Sequence, residues 1–123
     1  MSKNIAIIPA RKGSKRIKNK NIKLFNNKHL IYYSIKAAVK SNLFKRVIVS
    51  TDSKKISNIA KKYGAQVPFL RPKSLSDDYT STQKVINHAI DQLKDKDLIR
   101  NVCCIYATAP FIDYKDLIKA NKI

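Results

Sequence analysis

Between Arg11 and Asn21 the chain reads RKGSKRIKNKN, and six of these eleven residues are Lys or Arg, against 26 in all 123. That is more than twice the chain's own frequency of positive charge. Gly13 sits inside the run, where its freedom of backbone rotation permits a turn that other residues make only at a cost. Ser14 adds a hydroxyl, and successive N–H groups in such a turn can form a nest for an anion. The chemistry these residue types support is capture of a polyanion. Each hydrogen bond to a charged group contributes roughly 1.5–3 kcal/mol, so a few converging on a chain of phosphates would give about micromolar binding. A solvated basic turn is the competing reading. The segment matches neither G-x-x-x-x-G-K-[ST] nor G-x-G-x-x-G.

The elements on either side favour a binding role. Residues 4–9 form a short apolar run, as expected of a strand covered on both faces. From Leu30 to Leu43 apolar residues recur at helical spacing (Ile31, Ile35, Ala38, Val39, Leu43). RVIVST, residues 46–51, reads as a second strand. Asp52 and Ser53 are N-cap candidates for a helix carrying Ile56, Ile59, Ala60 and Tyr63, capping coming before a ligand-side role for Asp52. Gly64 stands where a left-handed cap would end that helix. QVPFL, residues 66–70, reads as a short edge strand because of Pro68. RPKSLSDDYTST leads into a helix with Val85, Ile86, Ala89, Ile90 and Leu93 on one face. RNVCCIY is a fourth strand, and Asp113 can cap a final helix. The predicted fold is α/β: a three-layer, mostly parallel, Rossmann-like sheet with alternating strands and helices. In such sheets ligands collect beyond the C-terminal ends of the strands. The basic segment, STD at 50–52 and YATAPF at 106–111 all leave strands there. The thin last edge predicts that residues 1–123 are the N-terminal part of a larger nucleotide-binding domain.

Composition narrows the classes. No apolar run approaches the ~18 residues of a membrane span, and the first one, broken by Pro9 and Arg11, is too short for a secretory signal; the expected location is cytoplasmic. Cys103 and Cys104 are adjacent, so on a strand they face opposite ways and suit neither a disulfide nor a metal. The net charge of +18 raises nucleic-acid binding as an alternative. However, all eight acids are Asp, and Lys, Asn and Ile abound, so a compositional bias accounts for the charge equally well. No helix interleaves cations with aromatics, and specific nucleic-acid binding is not expected. His29 and His88 have no partner at metal-ligand spacing. Asp77 and Asp78 suit helix capping better than Mg²⁺ ligation.

The stretch IIPARKGSKRIKNKNI resembles the N-terminal signature of the CMP-sialic acid synthetases (acylneuraminate cytidylyltransferases), I-P-A-R-x-G-S-K-x-x-x-x-K-N, with Arg11, Gly13, Ser14, Lys15, Lys20 and Asn21 all in place. VIVSTD and RPKSLSDD fall where that family has its next two signatures. CCIYATAPF and DDYT look most like the branch that acts on pseudaminic acid; Tyr106 stands where the sialic acid branch has a sugar-contacting Gln.

The resemblance implies attack by a nine-carbon sugar's anomeric hydroxyl on the α-phosphorus of CTP, forming a CMP-sugar and releasing pyrophosphate. It implies that Arg11, Ser14 and Lys15 hold the β- and γ-phosphates, that Gly13 belongs to the same nucleotide-binding turn, that Lys20 neutralises charge on the α-phosphate, and that Asn21 orients the nucleotide. Lys20 and Arg11 would be the catalytic pair. Arg71 would donate to cytosine O2 and N3, with a backbone carbonyl at Thr80 or Ser81 accepting from the amino group; bracing of a loop is the other role open to Arg71. Tyr106 and Thr108 would touch the sugar. Mg²⁺ is expected with CTP, its main protein ligands lying in the family's later part together with the dimer arm, so the full-length protein is expected to be a homodimer. N-acetylneuraminic, legionaminic and deoxy-octulosonic acids stay open as substrates.

Overall fold

Ile5, Ala6, Ile7 and Ile8 are completely buried, and a strand with no exposed face must be the centre of its sheet. The computed structural model of the chain describes residues 4–11, 24–25, 28–77, 80–94 and 98–105. In it strand β1 (Asn4–Pro9) lies between β4 (Arg46–Ser50) and β5 (Asn101–Cys104), parallel to both. Along the chain between β1 and β4, a two-stranded antiparallel hairpin pairs β2 (Leu24–Phe25) with β3 (Lys28–His29). Helix α1 (Leu30–Ser41) precedes β4, α2 (Lys54–Lys62) follows it, and α3 (Thr82–Asp91) precedes β5.

The register sorts side chains into two cores. Ala6 is level with Val47 and Cys103, while Ile7 is level with Ile48 and Cys104. Because neighbours along a strand point to opposite faces, Ala6, Ile8, Val47 and Val49 pack with Ile31, Ile35, Ala38, Ile56 and Ala60 of α1 and α2. Ile5, Ile7 and Ile48 pack with Ala89 and Leu93 at the α3 side. Helices on both faces of a parallel sheet give the three-layer α/β arrangement expected. Among the described residues no helix is long and apolar enough to cross a membrane.

Three expectations change. QVPFL is not a strand: it makes one parallel bridge, Gln66 with Ile48, through Gln66 N to Val47 O and Val49 N to Gln66 O. The next rung would need an N–H at residue 68, and Pro68 has none. Val39 lies off the buried face of α1, 43% exposed, because that face runs through Ile31, Ser34, Ile35, Ala38 and Ser41, one step round the helix. The N-cap of α2 is Ser53, not Asp52. The helix starts at Lys54, so the Ser53 hydroxyl is the one placed to accept from Ile56 N, at 3.2 Å. Gly64 follows α2 with φ of +102°, as its position at the helix end predicts. The final helix and the Asp113 cap lie outside the described residues.

Candidate functional site

The chain leaves β1 towards β4 on one side and reaches β5 on the other, with Gln66 beyond β4. The sheet therefore reverses direction of growth beside β1, the position where sheets of this kind hold ligands past the C-terminal ends of their strands. Ala10 and Arg11 continue β1 at this point, and Thr51, Asp52 and Ser53 continue β4.

One carbonyl organises this end. Ser50 O accepts from Ala10 N at 2.8 Å and from Arg71 Nη2 at 2.9 Å. The residue preceding Arg11 and the guanidinium of Arg71 therefore meet at a single oxygen. Arg71 is held further by its own N–H to Thr51 O at 2.8 Å, and by Nη1 to Leu75 O at 3.2 Å, which closes the short 3₁₀ turn Lys73–Leu75. It is 5% exposed. Burial lowers its pKa from the usual arginine value; the carboxylate of Asp52 opposes that shift and the charge of Arg11 adds to it. Arg11, Asp52 and Arg71 thus share one electrostatic neighbourhood.

Arg71 braces the loop and still keeps donor capacity. Two of its five N–H bonds are spent on backbone carbonyls, leaving three, and Nε is buried with no hydrogen-bond partner among the described residues. The Ser50 hydroxyl, also buried, has none either. At the start of α3 the Ser81 hydroxyl accepts from Lys84 N at 3.2 Å as the N-cap, and its carbonyl accepts from Val85 N at 3.3 Å. The Ser81 carbonyl is already a helix acceptor, so Thr80 is the better source of a free-standing one. The Thr80 hydroxyl donates to Asp77 Oδ1 at 2.7 Å. His88 stacks edge-on against Phe69 at 5.2 Å, a packing role.

Of the residues singled out in the sequence, the structure brings together Arg11 and Arg71 and places Thr80 and Ser81 at the entry of α3. Gly13, Ser14, Lys15, Lys20, Asn21, Tyr106 and Thr108 lie outside the described residues, as does Asp78. Sequence reasoning missed the role of Ser50, whose contribution is a backbone oxygen. The sequence cue to its position was only that it opens the STD segment.

A family model described as cytidylyltransferase matches residues 5–122. The chain belongs to the cytidylyltransferase family. Within it, the chain is 51% identical over 118 residues to a pseudaminic acid cytidylyltransferase of Campylobacter jejuni, covering 95% of this chain and 50% of that protein. It is 41% identical over 122 residues to an N-acylneuraminate cytidylyltransferase of Escherichia coli, covering 99% of this chain and 28% of that protein. The chain spans half, or less, of the length of these two curated relatives. Among solved structures, a CMP:2-keto-3-deoxy-manno-octonic acid synthetase complexed with CTP superposes with a TM-score of 0.83 over 98% of this chain and 46% of that one, at 19% identity. That likeness is one of fold.

Proposed function

We propose that this chain carries the nucleotide-binding part of a CTP-dependent cytidylyltransferase that transfers CMP to a nine-carbon acidic sugar, with pseudaminic acid as the acceptor. The observation that carries the proposal is the convergence of Ala10 N, the residue before Arg11, and the Arg71 guanidinium on Ser50 O, with the charge of Arg11 acting on Arg71, at the strand ends where such sheets bind ligands. Family membership supports the reaction class. The higher identity to the pseudaminic acid enzyme than to the N-acylneuraminate enzyme supports the acceptor.

In this reading the anomeric hydroxyl of the sugar attacks the α-phosphorus of CTP. The bond from that phosphorus to the bridging oxygen breaks, and pyrophosphate leaves with the electron pair. Such chemistry is accelerated mainly by positioning and by charge placed where negative charge builds up. Arg11, Ser14 and Lys15 hold the outer phosphates, Gly13 allows the turn that carries them, Lys20 neutralises the α-phosphate, and Asn21 orients the nucleotide. Arg71 turns its unspent N–H bonds to cytosine O2 and N3, and the Thr80 carbonyl accepts from the amino group. Uracil reverses donor and acceptor at N3 and the neighbouring exocyclic position, so the same frame rejects it. Tyr106 and Thr108 contact the sugar.

Mg²⁺ belongs to the proposal as a companion of the nucleotide, since it is usually held by one or two carboxylates and substrate phosphates. Among the described residues no three His, Cys, Asp or Glu side chains cluster to hold a metal. A cytoplasmic location and a homodimer of the full-length protein complete the reading.

Titration calorimetry with CTP and UTP tests it. The expected result is binding of CTP that UTP does not reproduce and that Lys20→Ala weakens. Equal heats for the two nucleotides would remove the proposal.

A further inference from the structure

Resting on that nucleotide reading, we propose that His88 is a positioning residue for base recognition: through its contact with Phe69 it fixes the spacing between Arg71 and the start of α3, and with it the preference for cytosine over uracil. The two halves of the base frame stand on different elements. Arg71, the donor, ends the segment that begins at Gln66, and the Thr80 carbonyl lies just before the Ser81 cap of α3. A cytosine must meet donor and acceptor at once, so discrimination depends on their separation.

The segment that carries Arg71 does not fix itself. It is tied to β4 at its two ends, by the Gln66 bridge to Ile48 and by Arg71 N to Thr51 O. Between these ties it takes five steps, from 66 to 71, where β4 takes three, from 48 to 51. The surplus has to bow out of line, and Pro68 withholds a backbone donor within the bow. Side chains hold the middle. Val67 packs on the α1–α2 core, Leu70 is 52% exposed, and Phe69 packs on the α3 core. The Phe69 ring meets His88 edge-on, with centroids 5.2 Å apart.

His88 carries that contact to the other half of the frame. It lies seven residues after Ser81, about two helical turns, and next to Ala89, which is completely buried against the sheet. Its Nδ1 is buried with no hydrogen-bond partner among the described residues, so packing is what holds the ring. Two turns of helix are stiff, and a shift at His88 is passed on to Thr80.

His88→Ala removes the ring, and Phe69→Leu keeps apolar bulk but loses the edge-on contact. Binding to the full chain is measured for CTP and UTP by calorimetry and for cytidine, which lacks phosphates, by NMR titration. An edge-on aromatic pair corresponds to about a 2- to 12-fold change in an equilibrium. The expected result is a fall of that size in the CTP-to-UTP preference for either variant, with cytidine losing affinity by the same factor as CTP. The double variant should be no worse than the worse single, and His88→Phe, which keeps a ring against Phe69, should retain the preference. A lowered urea midpoint with unchanged preference in His88→Ala or Phe69→Leu would confine the pair to packing and overturn the inference. Additive losses in the double variant, or a loss in His88→Phe equal to that in His88→Ala, would overturn it too. Equal binding of CTP and UTP by the unmodified chain would instead overturn the nucleotide reading on which it rests.

Discussion

Arg71→Lys tests the bracing and the base contact together. The guanidinium donates to Ser50 O and Leu75 O from two different nitrogens while 5% exposed. A lysine keeps the charge but has one compact head, and it cannot span two carbonyls held by a planar fork. One bond is lost at least. A bond from a charged donor is worth roughly 1.5–3 kcal/mol, and this site is buried enough that solvent screening does not erase it. With a urea slope of about 1.5 kcal/mol/M, the unfolding midpoint should fall by roughly 1–2 M. The same substitution removes the unspent N–H bonds assigned to the base, so the preference for CTP over UTP should drop by about tenfold, equivalent to ~1.4 kcal/mol. Urea unfolding followed by circular dichroism and paired nucleotide titrations give the two readings. An unmoved urea midpoint would show that the bracing bonds contribute nothing. A lowered midpoint with intact base preference would confine Arg71 to holding the loop.

Two further outcomes follow from local geometry. At Gly64 a β-carbon would meet nothing within 4 Å, but φ is +102°, so Gly64→Ala should cost about 1–2 kcal/mol from backbone strain alone, and Gly64→Asn less; equal stability of the Gly64→Ala variant and the unmodified chain in chemical unfolding would contradict this. Burial raises the pKa of both Cys103 and Cys104, the neighbouring thiol adding to the shift of Cys104. The unfolded chain therefore releases these protons first, so their contribution to stability is present below the ordinary thiol pKa and is lost as pH rises from there through the raised folded values. Thiol labelling across that window should lag behind that of the urea-unfolded chain, and equal rates would refute the shift.

Much of the frame was legible because one physical rule dominated each stretch. Ile5 to Ile8 is apolar at every position, and only a strand covered on both faces needs that. Val85, Ala89 and Leu93 recur at helical spacing and are buried as that spacing requires. Gly64 ends α2 with positive φ where its position predicts. Failures arose where two rules competed. In QVPFL the apolar content argues for a strand and Pro68 withholds the next rung, and the missing donor wins. At Asp52 and Ser53 both side chains can cap, and only the start of the helix at Lys54 decides between them. In α1, Val39 is apolar but lies beside the buried stripe, which two serines help to fill. The β2–β3 hairpin was invisible because two-residue strands leave no periodicity to read. For the site, arginines at 11 and 71 are conspicuous in the sequence, but the tie between Arg71 and the exit of β1 is not: it depends on a main-chain oxygen, which carries no residue-type signal.

That oxygen has a consequence for how the protein can vary. Ser50 O is shared by the exit of β1 and by Arg71, so any displacement of one arm is felt by the other through a single atom. No codon change can delete a peptide carbonyl. Substitution can reshape either arm, Arg71 included, but the acceptor they share is inherited by every variant that keeps the strand.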